Sequence, residues 1–364
     1  MDSLNSVYVH HLSPFAIQFT ETFGIRWYGL AYLAGFMICY FSVDYMAKHN
    51  LILLDREKVS DFITFGAIGT LVGGRVGYAI FYSPNLLVHW SSQFPYWGVL
   101  EVHKGGMASH GGIMGIMLAC WLYSKVSKVP ILHLIDLCCF AGGFGIFFGR
   151  IANFINGELY GRAVETPISW AVKFPQEIFR WASQSKEKLK DLSAVVEQMD
   201  PISLKNGQVM DVTSSEWVQW IDQWDSWSRS RVYVYLENII QQVEQGRQTL
   251  LSGLAPVLTA RHPSQLYQAM MEGLLISIVL FFVWKKPQKP GVIAGIFGTL
   301  YAVMRVIGEQ FRMPDAHIGY EWLGLTRGQW ISFGMLVFAA GYWWISVRRE
   351  SQLIGGWGNL PKTK

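Results

Sequence analysis

The chain has 364 residues, of which 51% are hydrophobic and 15% aromatic, while only 15% are charged, and its formal net charge is +4. A soluble protein of this size carries about 25% charged residues, so the composition points to a multi-spanning membrane protein. The small positive balance, with no basic run, argues against nucleic-acid binding.

Apolar windows of about twenty residues predict seven spans, near 24–46, 60–82, 107–124, 131–155, 263–284, 291–311 and 328–347. No basic residue precedes Arg26, so the first window lacks the charged start of a cleavable signal peptide. The chain divides on this reading into 1–161, with four spans, a polar segment 162–260, and 261–364, with three spans and a tail. Lysine and arginine set the orientation. Lys48, Arg56 and Lys58 follow the first span, Lys125 and Lys128 the third, Lys285, Lys286 and Lys289 the fifth, and Arg348, Arg349, Lys362 and Lys364 the seventh. If the spans alternate, all four clusters fall on one side, which is the cytoplasm. The expected fold class is therefore an all-α polytopic membrane protein with seven transmembrane helices, its N-terminus outside and its C-terminus inside.

The polar segment has helical islands at 176–198 and 215–245, rich in Trp, Gln, Ser and Glu. They fit either a small external domain or a pair of amphipathic helices on the membrane surface. Trp217, Trp220, Trp224 and Trp227, at spacings of three and four, predict one aromatic stripe on a helix. Packing within that segment and a place at the headgroup interface both account for it. Cys39, Cys120, Cys138 and Cys139 all fall inside predicted spans, where cysteine acts as a small hydrophobe. No Cys/His spacing resembles a zinc site.

With the orientation fixed, each polar residue in a span acquires a depth. Arg26-Trp27-Tyr28-Gly29 opens the first span, Arg75 lies in the outer third of the second, and His110 opens the third. Arg150 and Asn153 occupy the last two turns of the fourth, and Arg261-His262-Pro263-Ser264-Gln265 opens the fifth. Arg305, Glu309 and Arg312 share one face of the sixth, at spacings of four and three. All lie at the level of the outer leaflet, whereas a transporter needs polar groups near the midplane. A charge at the bilayer centre costs roughly 2.5–3.5 kcal/mol on insertion scales, so such residues are seldom idle.

The residue types suit a phospholipid headgroup. Arginine recognises phosphate bidentately and keeps its charge when partly desolvated. Glu309 can restrain Arg305, Asn153 and Asn156 can bind ester or glycerol oxygens, and the glycines beside His110 and Arg150 permit close approach. The densest block is Gly149-Arg150-Ile151-Ala152-Asn153-Phe154-Ile155-Asn156-Gly157-Glu158-Leu159-Tyr160-Gly161.

In order along the chain stand Gly-Gly-Arg75-x-Gly-Tyr78, Gly-Gly-Met-x-x-His110-Gly-Gly, that block followed by Arg162, Arg261-His262-Pro-Ser-Gln-Leu-Tyr267, and Arg305-x-x-x-Glu309-x-Phe-Arg312-x-Pro-Asp315. Together they closely resemble the phosphatidylglycerol–prolipoprotein diacylglyceryl transferase family of bacterial inner-membrane enzymes. The resemblance covers the chain apart from roughly 176–255. It implies transfer of the diacylglyceryl group of phosphatidylglycerol to the lipobox cysteine thiol of a prolipoprotein. A thioether forms and glycerol 1-phosphate leaves, with no metal or organic cofactor. It implies an inner-membrane location, with the active site facing the outer leaflet.

On that resemblance Arg150 and Arg305 stabilise the departing phosphate. A free cysteine has a pKa of about 8.5, so a base helps, and His110 is the candidate. Tyr28, Arg75, Asn153, Asn156, Glu158, Gly161, His262, Glu309 and Arg312 join the site as lipid or substrate contacts. The chain departs from the family pattern at His103, where Trp is usual, at Ser109, where Phe is common, and at Gln268, where Glu often stands. The runner-up reading is a non-enzymatic outer-leaflet phospholipid binder or flippase. An intramembrane protease using Ser109 and His110 fails, because adjacent helical side chains point about 100° apart.

Overall fold

The computed structural model describes residues 7–20, 24–92, 94–101, 105–166, 168–203, 209–314 and 321–357. His103, Asp315, Lys362 and Lys364, used in the sequence reading, lie outside the described residues.

Each predicted span is occupied by a long helix. These are α1 (Trp27–Lys48), α2 (Val59–Phe81), α3 (Ser109–Ser127), α4 (Ile131–Ile155), α5 (Ser264–Val283), α6 (Val292–Phe311) and α7 (Arg327–Arg348). Among the described residues, six helices are long and apolar enough to cross a membrane. The exception is the 19-residue α3, where Ser109, His110 and three glycines dilute the apolar character. In α5 the residues Ala269–Leu275 form a π-helical segment. Short strands precede α1 and punctuate the segment between α4 and α5, which the all-helical expectation did not include.

The chain divides into two compact units. One comprises Tyr32–Ile146, Glu272–Val303 and Phe333–Lys364. Its defining contact is the crossing of α2 and α3, where glycine faces glycine. A Cβ on Gly73 would lie 2.7 Å from the Gly115 Cα, and one on Gly77 would lie 2.7 Å from the Gly111 Cα. Glycines spaced by four thus let the two backbones touch, the small-residue packing that replaces hydrophobic drive inside lipid. At one end of this unit the buried Asp136 of α4 accepts from Gly291 N at 2.7 Å and Ala294 N at 2.8 Å, capping α6 from a neighbouring helix. The Trp284 and Trp357 indoles donate to Ile354 O and Phe281 O, tying residues 354–357 to α5. All four cysteines are free thiols.

The other unit comprises Met1–Ala31, Phe147–Met271 and Met304–Ser332. A three-stranded sheet joins Tyr8–Val9, Val172–Lys173 and Ala260–Arg261, so the polar segment is stitched at both its ends to residues near the N-terminus. Between those strands the polar segment has its own hydrophobic core, running from Ile178 to Leu258 and centred on Trp217, Tyr235, Leu236 and Ile239. The four tryptophans do not form the expected single stripe. Helix Ser214–Gln223, opened by a Thr213–Glu216 capping box, stops at Trp224, whose φ of 45° is left-handed. Asp225 then caps a new helix, Ser226–Glu244, by accepting from Ser228 N at 2.7 Å. Periodicity of three and four continues in the sequence through a break that the cap enforces. Trp217 and Trp220 are buried, while Trp227 is exposed under the Arg231 guanidinium.

Candidate functional site

Most of the expected site residues lie in the unit that contains the end of α4. Helix α4 runs out at Ile155, and the chain turns through Gly157 (φ 67°) and Leu159 (φ 54°). This sharp turn folds Glu158 back toward the helix end. Tyr28, in the first turn of α1, donates its hydroxyl to Glu158 Oε2 at 2.9 Å, and Asn153 Nδ2 donates to the Tyr28 oxygen. Asn156 Nδ2 reaches Glu158 Oε1 at 3.3 Å. Four expected residues therefore form one hydrogen-bonded chain, with Arg150 one helical turn before Asn153.

The next residues are held by backbone bonds. Gly161 N donates to His262 O at 3.0 Å and Arg162 N to Phe311 O at 2.9 Å, placing residues 161–162 between the start of α5 and the end of α6. A Cβ on Gly161 would fall 2.7 Å from Phe311 O and 2.8 Å from the His262 Cβ, so only glycine fits. Arg162 donates to the Arg312 and Glu309 carbonyls, closing the last turn of α6. On α6 itself Arg305 and Glu309 form an ion pair at 3.0 Å, both side chains largely buried. The contact is an ion pair without hydrogen-bond alignment, since Glu309 Oε2 has no aligned donor. Thr326 Oγ1 donates to Glu309 Oε1 at 3.3 Å, and Gly328 leaves room for that carboxylate.

His262 is fixed by aromatic rings. Its Nδ1 lies 3.3 Å from the Tyr267 hydroxyl, and its ring meets Phe311 edge-on at 5.5 Å. Burial lowers the pKa of its imidazole. Beside it, Arg261 makes a buried ion pair with Glu177 at 2.5 Å, lies over the Tyr160 ring, and donates to Gly161 O. Glu177 also accepts from Thr259 N at 2.8 Å. The sequence reading missed Glu177, because nothing local distinguishes it from any other polar-segment glutamate. It also left Arg162, Tyr160 and Gln265 without roles, although all three stand within or beside the quoted motifs.

Arg75 and His110 belong to the other unit. Arg75 is buried, and all five of its N–H groups point at backbone carbonyls, those of Gly98, Val99, Glu101, Gly105 and Gly106. A guanidinium has five donors in all, so none is left over for a substrate. Gly106 packs against the Tyr78 ring, and Ala108 N donates to Gly74 O at 2.9 Å. The Gly-Gly-Met run is thereby fastened along α2 and delivers His110, exposed, in the first turn of α3.

A helical, polytopic membrane protein with arginines, amides and carboxylates gathered at its helix ends is the class that these features define. The family model described as prolipoprotein diacylglyceryl transferase matches residues 14–345, and the chain belongs to that family. A relative from Bdellovibrio bacteriovorus is 48% identical over 96% of this chain and 97% of its own length. Others from Neisseria gonorrhoeae and Idiomarina loihiensis are each 31% identical, over 90% and 95% of this chain and 94% and 96% of their own lengths. All three are named phosphatidylglycerol–prolipoprotein diacylglyceryl transferase.

Proposed function

We propose that this chain transfers the diacylglyceryl group of phosphatidylglycerol to the lipobox cysteine thiol of a prolipoprotein. The observation that carries the reading is the end of α4, where Asn153, Tyr28, Glu158 and Asn156 form one hydrogen-bonded chain beside Arg150. The family match and the names of the relatives support the same reaction. They do not favour a lipid binder or flippase, since every relative quoted carries a transferase name.

In the reaction the cysteine thiolate attacks the glycerol carbon that bears the phosphate. A sulfur–carbon bond forms, the carbon–oxygen bond breaks, and glycerol 1-phosphate departs with the electron pair. Arg150 and Arg305 hold the phosphate and offset its developing charge. Glu309 restrains the Arg305 rotamer before lipid binds, and His110 accepts the thiol proton. Tyr28, Asn153, Asn156 and Glu158 position the lipid, while Gly161, His262 and Arg312 shape the floor on which they rest. Arg75 acts at one remove, by holding the loop that carries His110. All seven long helices span the inner membrane, with the N-terminus outside and the C-terminus in the cytoplasm, so these groups face the outer leaflet. The polar segment then stands on the outer side.

The test uses the purified full chain in nanodiscs with phosphatidylglycerol and a lipobox peptide, read by the mass gained on the peptide. Arg150→Ala and Arg305→Ala are each expected to abolish transfer while the protein still inserts. Full activity in either variant overturns its assignment.

A further inference from the structure

Three side-chain amides, Asn156, Gln176 and Gln265, surround the Asn156–Glu158 turn, a fourth, Gln268, follows Gln265 on the same helix, and their carbonyl oxygens share one condition. Asn156 Oδ1, Gln176 Oε1, Gln265 Oε1 and Gln268 Oε1 are buried, and none has a hydrogen-bond partner among the described residues. Gln265 and Gln268 are 0% exposed. Buried polar atoms in native proteins are normally paired, so several orphaned acceptors around one turn call for donors from elsewhere.

The amides are fixed from three directions. Asn156 Nδ2 donates to the Glu158 carboxylate and Gln265 Nε2 to the Glu158 carbonyl, at 3.3 and 2.6 Å. The Gln176 carboxamide lies so close to Gly157 that any Cβ there would collide with it. Gln268 stands three residues beyond Gln265 on the same helix face, and its nitrogen is orphaned as well.

We infer that these amides form a subsite that reads the free hydroxyls of the lipid's glycerol headgroup; the inference rests on the transfer reaction proposed above. A hydroxyl donates a hydrogen bond without bringing charge. An ammonium headgroup would add a cation to a unit that already holds Arg150, Arg162, Arg305 and Arg312, and a serine headgroup would bring a carboxylate to Glu158. Choline offers no donor. A vicinal diol is the neutral group that satisfies several carbonyl acceptors at once. Gln176, Gln265 and Gln268 are on this account specificity-determining residues, distinct from the groups that act on the phosphate.

The experiment compares phosphatidylglycerol with phosphatidylpropanol, whose headgroup is the same length but lacks both hydroxyls. The full chain in nanodiscs transfers from each lipid to a lipobox peptide, and kcat/KM is measured for both. The wild-type protein is expected to prefer phosphatidylglycerol by about tenfold or more, the usual worth of a buried hydrogen bond lost. In Gln268→Met and Gln176→Leu the preference falls toward one, while transfer from phosphatidylpropanol is unchanged. A merely structural role would slow both lipids alike and leave their ratio intact, so retained preference overturns the inference. A raised peptide KM with both lipids would assign the amides to the peptide and overturn it too. If the wild-type protein transfers from neither lipid, it is the underlying reaction that fails.

Discussion

The Tyr28 hydroxyl and the Glu158 carboxylate, 130 residues apart in the chain, meet at 2.9 Å. That bond ties the first turn of α1 to the turn after α4, and Asn153 completes it by donating to the same hydroxyl oxygen. Tyr28→Phe keeps the ring and removes the link. A hydrogen bond to a charged group contributes about 1.5–3 kcal/mol, so kcat/KM for lipid transfer is expected to fall roughly 10–100-fold. Unchanged kinetics would show that Glu158 is placed without Tyr28.

Arg305 and Glu309 are expected to behave as one unit. Lysine lacks the planar fork that grips phosphate and carboxylate, so Arg305→Lys should lose at least about tenfold in transfer. Glu309→Gln keeps the shape but removes the counter-charge on a largely buried guanidinium. A double-mutant cycle in the same assay checks the pair, with coupling of about 0.5–3 kcal/mol expected for residues in contact. Strict additivity would show that the ion pair is incidental.

Gly115 is expected to be intolerant of bulk. A side chain there meets the Gly69 backbone and the Gly73 Cα, at 2.9 Å for the latter, so Gly115→Leu must push α2 and α3 apart. The variant should fail to accumulate in the membrane. Gly341→Ala on α7, where an added Cβ meets nothing within 4 Å, is the control and should accumulate normally. Equal yields would argue against the glycine crossing as a folding determinant.

Arg75→Lys leaves three donors where the structure uses five. The carbonyls of Gly98, Val99, Glu101, Gly105 and Gly106 cannot all be satisfied, and the approach to His110 should loosen. Hydrogen exchange of residues 98–101 is expected to quicken, together with a fall in transfer rate. A direct phosphate role for Arg75 would instead raise the lipid KM without altering exchange.

His10 supplies a pH dependence. It is 0% exposed, packed against the Phe154 and Phe174 rings at 5.4 Å, and burial lowers its pKa to about 4. The folded state therefore holds it neutral while the unfolded chain protonates it below about 6.5. Its contribution is fully present above that pH and is lost as pH falls toward 4, by about 3 kcal/mol in all. Thermal unfolding of detergent-purified protein should lose stability across pH 6.5 to 4, and His10→Phe should flatten that slope. An unaltered slope in the variant would exclude His10 as its source.

The helices and the polar residues that interrupt them were legible because hydropathy adds up along a segment, whatever the segment later touches. The seven windows gave helices within a few residues. The tryptophan stripe failed, because the cap at Asp225 breaks a helix without disturbing the period around it. Arg75 was visible as a charge in a span, yet an arginine reads the same in sequence whether it grips a phosphate or five carbonyls. Glu177, Gln176 and the clasp of Asp136 on the start of α6 had no local signature at all.

The sequence by itself determined a chain of apolar helices carrying arginines, amides and carboxylates toward their ends, together with the family those motifs mark. Only the tertiary structure decided which donors are already spent and which acceptors are left over. Burial free energy is summed residue by residue along the chain, whereas hydrogen-bond satisfaction is a property of pairs, and most of these pairs are made by residues far apart in the chain.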